Sequence, residues 1–472
     1  MNATQELVRF AHELQFSDIP SSVLERLKQS TLNICGTALA GVRTAPARVW
    51  LDYAQMMGGN PTCSLWGTRT RAPLPTAAFV NGQNAHILDF DEGYCGPFMY
   101  SSHPQPAIVP ALLTTGEMVH ASGEKYLAAF AAALEVTLRV ARSVYPGWDK
   151  LWAVHGKGAT QTLGCSIAAG RMLDLNNEQL LNGFGLAGET APLPSMSKWM
   201  KEIVNKPVSW SRNQIGWAAE TGVRAAWFAS RGAAGCRTLL EGDAGFYRMV
   251  GSTSFDPSAI TTGLGSDWLI LTPHHYFKRF PIGGTVLSAL DAVDALVKQH
   301  NLAPESVASI DVFTESRLVE FGFGSGVSGD PLNTYDGQYS APHCIACIVA
   351  GREPGPDWVS AEAFADAAIK AVAAKVRLVA DETAKKHFEK DEWYARVVIK
   401  TVDGRAFEHV QAVQRGHERN PFSRDELVHK FKSLAAHSLT HKAIDGVLDT
   451  VDNMEKLPRI NQLTDLMVTT EN

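Results

Sequence analysis

The chain has 472 residues, of which 45% are hydrophobic and 19% are charged, and its net charge at pH 7 is −6. This length is too great for one ordinary core and predicts two or three domains. The mild negative charge argues against a nucleic-acid-binding protein, which would present a basic surface.

The chain begins MNATQELVRFAHELQF, which lacks the basic-then-apolar pattern of a secretory signal. Prolines at Pro97, Pro104, Pro106 and Pro110 interrupt the longest uncharged stretch, residues 94–116. We therefore expect neither secretion nor a membrane span.

The seven cysteines are scattered along the chain, and only Cys344 and Cys347 form a CxxC pattern. Without a second pair, this spacing favours two small buried residues over a metal site. Unpaired cysteines suit a reducing compartment, so we expect a cytoplasmic protein.

Residues up to about 270 are predicted to form helices. The segment SSVLERLKQSTLNICGTALAG begins with Ser22 and Glu25 at the spacing of a capping box, and Gly41 lies where a helix would end. The segment GATQTLGCSIAAGRMLDL is rich in small residues, which predicts a central helix that its neighbours approach closely. We expect no strand before Leu269.

The pattern changes after Leu269, where strands are predicted in VASIDVFTE and KVRLVAD. A hairpin is predicted around Asp403 and Gly404, and helices are predicted over 285–299 and 361–373. We therefore predict a mainly α fold in which a smaller α+β lid domain interrupts a large helical domain.

The predicted α+β domain covers residues 271–413. The predicted helical domain covers residues 1–270 and is completed by residues 414–472. Ser423 and Glu426 predict a capping box at the start of the first helix in that last segment.

The segment NGQNAHILDFDEGY combines ionisable and apolar residues in one short stretch. A helix is predicted from Pro75 to about Phe90, which would place Asp91 and Tyr94 in the loop that follows it. The ionisable residues of this stretch are His86, Asp89, Asp91 and Glu92.

His103 follows in a loop held rigid by proline, and a firmly held imidazole suits a general base. The alternative is a loop histidine whose hydrogen bonds are simply satisfied. His86, Asp89, Asp91 and His103 are also of metal-binding types, but their spacing matches no metal motif. We therefore expect no metal, and a metal-dependent lyase or hydrolase is a separate alternative.

Further candidate residues lie downstream. His155 precedes Gly156 and Gly158 at the start of a predicted helix, where backbone amides favour an anion. Lys206 precedes a proline, and Lys278 adjoins Arg279 in YFKRFP at the predicted domain boundary. These cations could bind carboxylates or stabilise an enolate-type anion, or they could be ordinary surface residues.

Taken in order, these motifs resemble the MmgE/PrpD family, which includes 2-methylcitrate dehydratase, cis-aconitate decarboxylase and iminodisuccinate epimerase. The resemblance extends over nearly the whole chain, and its most specific part is the DFD element followed by HP. It implies a helical domain covered by an α+β lid, a cleft between the two, a homodimer and chemistry without a cofactor.

The resemblance also implies roles for individual residues. His103 would be the general base or acid, and Asp91 would orient it or position the substrate. His155 would transfer a second proton or stabilise an anion. Lys206 and Lys278 would hold carboxylates. The residues expected to bind substrate besides these are Arg279, Tyr94, His343, which falls where many members carry a tyrosine, and Trp210.

The sequence departs from the family pattern in three places. Ile282 and Gly283 follow KRFP where several relatives have a histidine at the second position, which argues against cis-aconitate as the substrate. Unusual residues follow KP, namely Trp210, Arg212 and Asn213, and they would reshape the pocket. Aromatic residues follow DFD, namely Tyr94, Phe98 and Tyr100, and they predict a substrate with an apolar or aromatic portion if they face the cleft.

The leading hypothesis is a cofactor-independent lyase that acts on a small di- or tricarboxylate by dehydration or decarboxylation. An epimerase or isomerase that uses the same proton abstraction is the second hypothesis. A catalytically inactive protein that binds a carboxylate is the third.

Overall fold

The computed structural model describes residues 2–96, 99–145, 147, 157–193, 208–210, 214–320, 331, 333–390 and 392–469. The described part before residue 270 is mainly helical. Its helices are α1 (Ala3–Glu13), α2 (Ser21–Gly41), α3 (Ala47–Met57), α4 (Leu74–His86), α5 (Gln105–Val119), α6 (Gly123–Ser143), α7 (Lys157–Met172), α8 (Asn177–Glu189), α9 (Ile215–Ser230), α10 (Phe246–Met249) and α11 (Ser258–Thr261).

Helices and strands alternate between residues 287 and 411. The helices are α12 (Leu287–His300), α13 (Ser316–Glu320), α14 (Thr334–Gln338), α15 (Ala341–Val349), α16 (Ala361–Ala365), α17 (Ala367–Ala373) and α18 (Glu382–Phe388). The chain then returns to helix in α19 (Arg424–Ala435), α20 (His441–Asp452) and α21 (Asn461–Thr464).

Short strands also occur before residue 269, so the expectation of none was wrong. They contain two to four residues, too few for a pattern of alternating polarity to be recognised in the sequence. These strands are β1 (Cys63–Ser64), β2 (Arg71–Ala72), β3 (Gly93–Gly96) and β4 (Met99–Ser102), and β5 (His275–Tyr276) pairs with β3.

The α+β part contains a four-stranded sheet made of β6 (Val307–Thr314), β7 (Val376–Ala380), β8 (Ala395–Thr401) and β9 (Ala406–Gln411), in the spatial order β7-β6-β8-β9. Strand β6 is parallel to β7 and antiparallel to β8. Strand β9 forms the predicted hairpin with β8. The mainly helical fold with a smaller α+β portion is therefore confirmed.

The two predicted capping boxes have different outcomes. At α19, the Ser423 hydroxyl accepts from the amide of Glu426 and the Glu426 carboxylate accepts from the amide of Ser423, as predicted. The box at Ser22 was wrong, because α2 begins at Ser21 after Pro20 and has no side-chain cap. Pro20 itself occupies the N-cap position, with φ −58° and ψ 144°, and its side chain has no oxygen that could accept from the first helix amides.

Buried apolar residues form two cores. The first core joins the helices before residue 270 to α19, α20 and α21, and it includes Phe431 of α19. The second core surrounds the four-stranded sheet with α12 and α15, and it also receives Ile87, Leu88 and Phe90 from the segment after α4. That segment therefore lies where the two cores meet. The domain boundaries at residues 270 and 413 stay a prediction.

Candidate active site

The acidic turn, residues 87–92, begins where α4 ends at His86, four residues before the predicted end. The amide of Asp89 donates to the carbonyl of His86 at 2.8 Å, and Asp89 adopts a φ of 48°. Aspartate is among the few side chains that tolerate this left-handed conformation. Because Phe90 enters the second core, the chain must leave the helix here.

Asp91 joins two imidazoles. Its Oδ1 lies 2.8 Å from Nδ1 of His86 and its Oδ2 lies 2.6 Å from Nδ1 of His103. Burial by itself would raise the pKa of Asp91, but the two histidines hold that pKa well below its usual value. Asp91 is therefore an anion that orients both rings.

His103 is buried, and the side-chain Nε2 of Gln161 donates to its backbone carbonyl at 2.9 Å. Its Nδ1 faces Asp91 and also lies 3.1 Å from the carbonyl of Glu92. With two acceptors at Nδ1, the neutral ring carries its proton there and has its lone pair on Nε2.

The pKa of His103 is lowered by burial and, less strongly, by the charge of Lys278, while Asp91 opposes both effects. The ring is consequently neutral at pH 7. A neutral imidazole with an available Nε2 lone pair can accept a proton.

Lys278 places a positive charge beside this base. Its side chain is fully buried, and its Nζ donates to Oδ1 and to the carbonyl of Asp89, at 2.5 and 2.8 Å. The same Asp89 Oδ1 lies 3.5 Å from Nε2 of His103. Asp91, His103, Asp89 and Lys278 thus form a continuous row, which we call the catalytic row.

Family models for the MmgE/PrpD N-terminal domain and the MmgE/PrpD C-terminal domain match residues 5–258 and 280–455 of the chain. The chain belongs to the MmgE/PrpD family. The predicted resemblance is therefore confirmed over most of the sequence.

Individual MmgE/PrpD relatives are distant in sequence but similar in length. Cis-aconitate decarboxylase of Homo sapiens is 24% identical over 98% of this chain and 94% of its own length. The enzyme of the same name from Mus musculus is 24% identical over 99% and 93%. That from Aspergillus terreus is 22% identical over 98% and 95%.

Three of the site residues predicted from the MmgE/PrpD resemblance, Asp91, His103 and Lys278, meet in the catalytic row. Two others, His155 and Lys206, lie outside the described residues, as do Phe98, Arg212, Asn213 and the side chain of Tyr100. Their roles stay predictions.

The four predicted substrate-binding residues have other neighbours in the structure. Arg279 forms ion pairs with two aspartates of α12, at 3.4 and 2.7 Å. His343 lies in the α+β part, where its Nε2 is 2.6 Å from the carbonyl of Trp358. Tyr94 is fully buried, and its ring centroid lies 4.9 Å from that of His275. The ring centroid of Trp210 lies 5.4 Å from that of Trp50 and 6.1 Å from that of Tyr335. Substrate binding by these four residues stays a prediction.

His86, Asp89, Asp91 and His103 also have the chemistry of a metal site in this MmgE/PrpD protein, since one donor atom of each lies within 4.8 Å of the others. In the structure, however, Asp91 accepts from both histidines, and Asp89 carries the ammonium of Lys278. A cation bound there would compete with these hydrogen bonds and be repelled by Lys278. These contacts suit proton transfer, and the expectation of no metal stays a prediction.

Sequence reasoning did not assign a catalytic or binding role to three residues that the structure brings to the site, namely His86, Asp89 and Lys430. His86 and Asp89 stand in the ionisable stretch, so their spacing to Asp91 was an available signal. Lys430 had none, because it lies among other charged residues on an amphipathic helix.

Proposed function

We propose that this protein is a cofactor-independent lyase that removes a proton next to a carboxylate of a small di- or tricarboxylate. The observation that carries the proposal is the catalytic row, in which a neutral imidazole and a buried ammonium flank one carboxylate. The MmgE/PrpD family and the named relatives support a lyase of the decarboxylase or dehydratase kind.

The first step assigns the proton to His103. Its Nε2 takes the proton from the carbon next to the substrate carboxylate, and the imidazolium that forms is stabilised by Asp91. Such a carbon acid is very weak, so the developing negative charge needs several kcal/mol of electrostatic help. Lys278, whose ammonium lies in the catalytic row, supplies this electrostatic stabilisation.

The second step decides the product. In a dehydration, the carbanion expels hydroxide from the neighbouring carbon. In a decarboxylation no proton is removed first: the C–C bond to a carboxylate breaks, CO₂ leaves, and the carbanion that remains takes up a proton. Return of the proton to the opposite face gives an epimerase, which is the second candidate. Lys206 and His155 are proposed to complete substrate binding and proton transfer, with Arg279, Tyr94, His343 and Trp210 as further substrate contacts.

The substrate is proposed to be a small carboxylate other than cis-aconitate. The relatives named above are cis-aconitate decarboxylases. Gly283 nevertheless replaces a histidine of the family pattern in this chain, which supports a different acid.

We also propose a cytoplasmic homodimer. All seven cysteines are free thiols, and six of them are buried, which suits a reducing compartment. Across the described residues, no helix has the length and apolar character needed to cross a membrane.

The deciding experiment is an NMR screen of di- and tricarboxylates in D₂O, with wild-type protein and a His103→Gln variant, each with and without a chelator. Alkene formation identifies dehydration, release of CO₂ identifies decarboxylation, and deuterium incorporation with appearance of the other stereoisomer identifies epimerisation. His103→Gln should lower the rate about 10²–10⁴-fold, the usual contribution of a general base.

Three results contradict the proposal. Binding of a carboxylate without turnover or exchange would indicate an inactive binding protein. Loss of activity on chelation would indicate a metal-dependent enzyme. An active His103→Gln variant would remove the assigned base.

A further inference from the structure

We propose that Lys430 is a positioning residue that holds the acidic turn and Lys278 in their working geometry. This inference rests on the proposed function. Lys430 lies on α19, and its Nζ donates to the carbonyl of Phe90 at 2.7 Å and to the carbonyl of Lys278 at 2.8 Å. The same ammonium lies 4.0 Å from the centre of the Phe90 ring.

These contacts join three segments that are distant in the chain. Phe90 lies between Asp89 and Asp91 in the sequence, and Lys278 is the cation of the catalytic row. Phe431, next to Lys430, belongs to the first core, whereas Phe90 belongs to the second. A single side chain therefore fixes both halves of the catalytic row at the place where the cores meet.

The burial of Lys430 shows how closely the site is built around it. A buried ammonium is costly unless its protons are bonded. Here two of the three N–H groups meet carbonyls, and the face of the Phe90 ring lies close to the charge. An apolar side chain at this position would leave both carbonyls without these bonds.

The two hydrogen bonds do not require the charged form. Burial lowers the pKa of Lys430 to about 7, although Glu92 and Asp91 oppose the decrease and Lys278 adds to it. A neutral amine still has two N–H groups for the two carbonyls. Removal of the amine, rather than a change of pH, is thus the appropriate test.

The experiment compares Lys430→Met, Lys430→Arg and wild type, with Lys432→Met as the matched control. Lys432 is two residues away on α19 and half exposed, and it pairs with Asp445 at 3.1 Å. Hydrogen exchange is measured without substrate in peptides covering residues 87–93 and 276–282, followed by kcat and KM on the acid found in the carboxylate screen.

In Lys430→Met, exchange should rise at least about fivefold in both peptides while α6 stays protected. The kcat value should fall at least about tenfold and KM should change less than about threefold. Lys430→Arg, which retains N–H donors, should recover part of both losses. Lys432→Met should match wild type.

Unchanged exchange in the two peptides, or a kcat within twofold of wild type, overturns the positioning role. A uniform rise in exchange that includes α6 also overturns it, because it indicates a general structural role. If Lys430→Met does not fold, Lys430→Gln, whose shorter side chain does not reach both carbonyls, takes its place in the same two measurements. Wild-type values for both in that variant would overturn the proposal. If wild type turns over no carboxylate, the proposed function fails while the exchange experiment still decides whether Lys430 holds the turn.

Discussion

The behaviour of His103 depends on neighbours of opposite effect. Asp91 fixes the tautomer and favours the charged ring, whereas burial and Lys278 favour the neutral ring. A base needs both influences: Asp91 directs the lone pair to Nε2, and burial together with Lys278 keeps that nitrogen unprotonated. The site therefore depends on a balance among the four side chains of the catalytic row, Asp91, His103, Asp89 and Lys278, and not on one reactive group.

Replacing Lys278 with methionine should raise the pKa of His103. The substitution removes a positive charge that lowers this pKa and frees the carboxylate of Asp89, which raises it. The measurement is an NMR titration of ¹³C-labelled histidine, with the His103 signal assigned from His103→Gln. Turnover should also fall about 10²–10³-fold, as expected when a stabilising donor is lost.

The matched control for this titration is Lys298→Met. Lys298 is exposed and pairs with Asp294 at 3.0 Å, so its loss should leave the His103 titration unchanged. A His103 pKa that does not move in Lys278→Met, or that falls, would contradict the assigned electrostatics.

Glu92 predicts a dependence of stability on pH. Burial raises its pKa from 4.5 to about 8, even though the side-chain amide of Asn33 donates a hydrogen bond to its carboxylate. Between about pH 4.5 and 8, Glu92 is therefore protonated in the folded protein and ionised in the unfolded chain. Across that range this residue's contribution to stability falls as pH rises, by up to about 1.4 kcal/mol per pH unit.

Glu92→Gln cannot release that proton. We expect its melting temperature relative to wild type to increase between pH 5 and pH 8, as measured by thermal unfolding. The control is Glu178→Gln, an exposed carboxylate that pairs with Arg237. Its difference from wild type should stay constant, because an arginine keeps its charge throughout this range. A Glu92→Gln curve parallel to that of wild type would show that Glu92 is already ionised in the folded protein.

At the scale of helices, the small residues of α7 permit close approach, as the sequence predicts. Helix α9 crosses α7 at Gly222, where an added Cβ would lie 2.4 Å from Cβ of Cys165 and 2.8 Å from the amide of Ser166. Distances of this size require main-chain movement, and overpacking of that kind usually costs about 1–3 kcal/mol.

Gly222→Ala should therefore lower the melting temperature, despite the better helix propensity of alanine. Arg224→Ala serves as control, because Arg224 is exposed on the same helix and its loss should change stability by less than about 0.5 kcal/mol. Equal melting temperatures for the two variants would mean that α7 and α9 are not in close contact.

The end of α4 shows where local sequence was insufficient. Residues 87–90 continue a helical pattern, so the helix was predicted to extend to Phe90. The structure ends it at His86 because Phe90 enters the second core and Lys278 binds the carbonyl of Asp89. Both causes lie in segments distant along the chain, which a local pattern does not contain.

At the scale of the whole molecule, the same limit explains which site residues were found. His103 and Asp91 were predicted because they stand close together in a distinctive stretch, and Lys278 because it adjoins aromatic residues at a change of pattern. Lys430 contributes through a tertiary contact alone. The fold class followed from the change in periodicity after Leu269, whereas the meeting of the two cores at the acidic turn depends on packing.

The predicted homodimer should use the exposed face of α9. Trp217, Trp227 and Phe228 lie on this helix with 38%, 38% and 48% of their surface exposed. Aromatic side chains are enriched in interfaces, and a twofold dimer requires a face that is complementary to itself. Sedimentation velocity should show a wild-type dimer at micromolar concentration.

The double variant Trp227→Glu with Phe228→Glu should raise the dimer dissociation constant at least about 30-fold, since a central aromatic residue contributes about 2 kcal/mol or more. Four glutamates would then face one another across the symmetry axis. Val410→Glu is the control, because Val410 is similarly exposed but lies on β9 of the α+β part. A wild-type monomer, or a double variant that associates as tightly as Val410→Glu, would place the interface elsewhere or remove it.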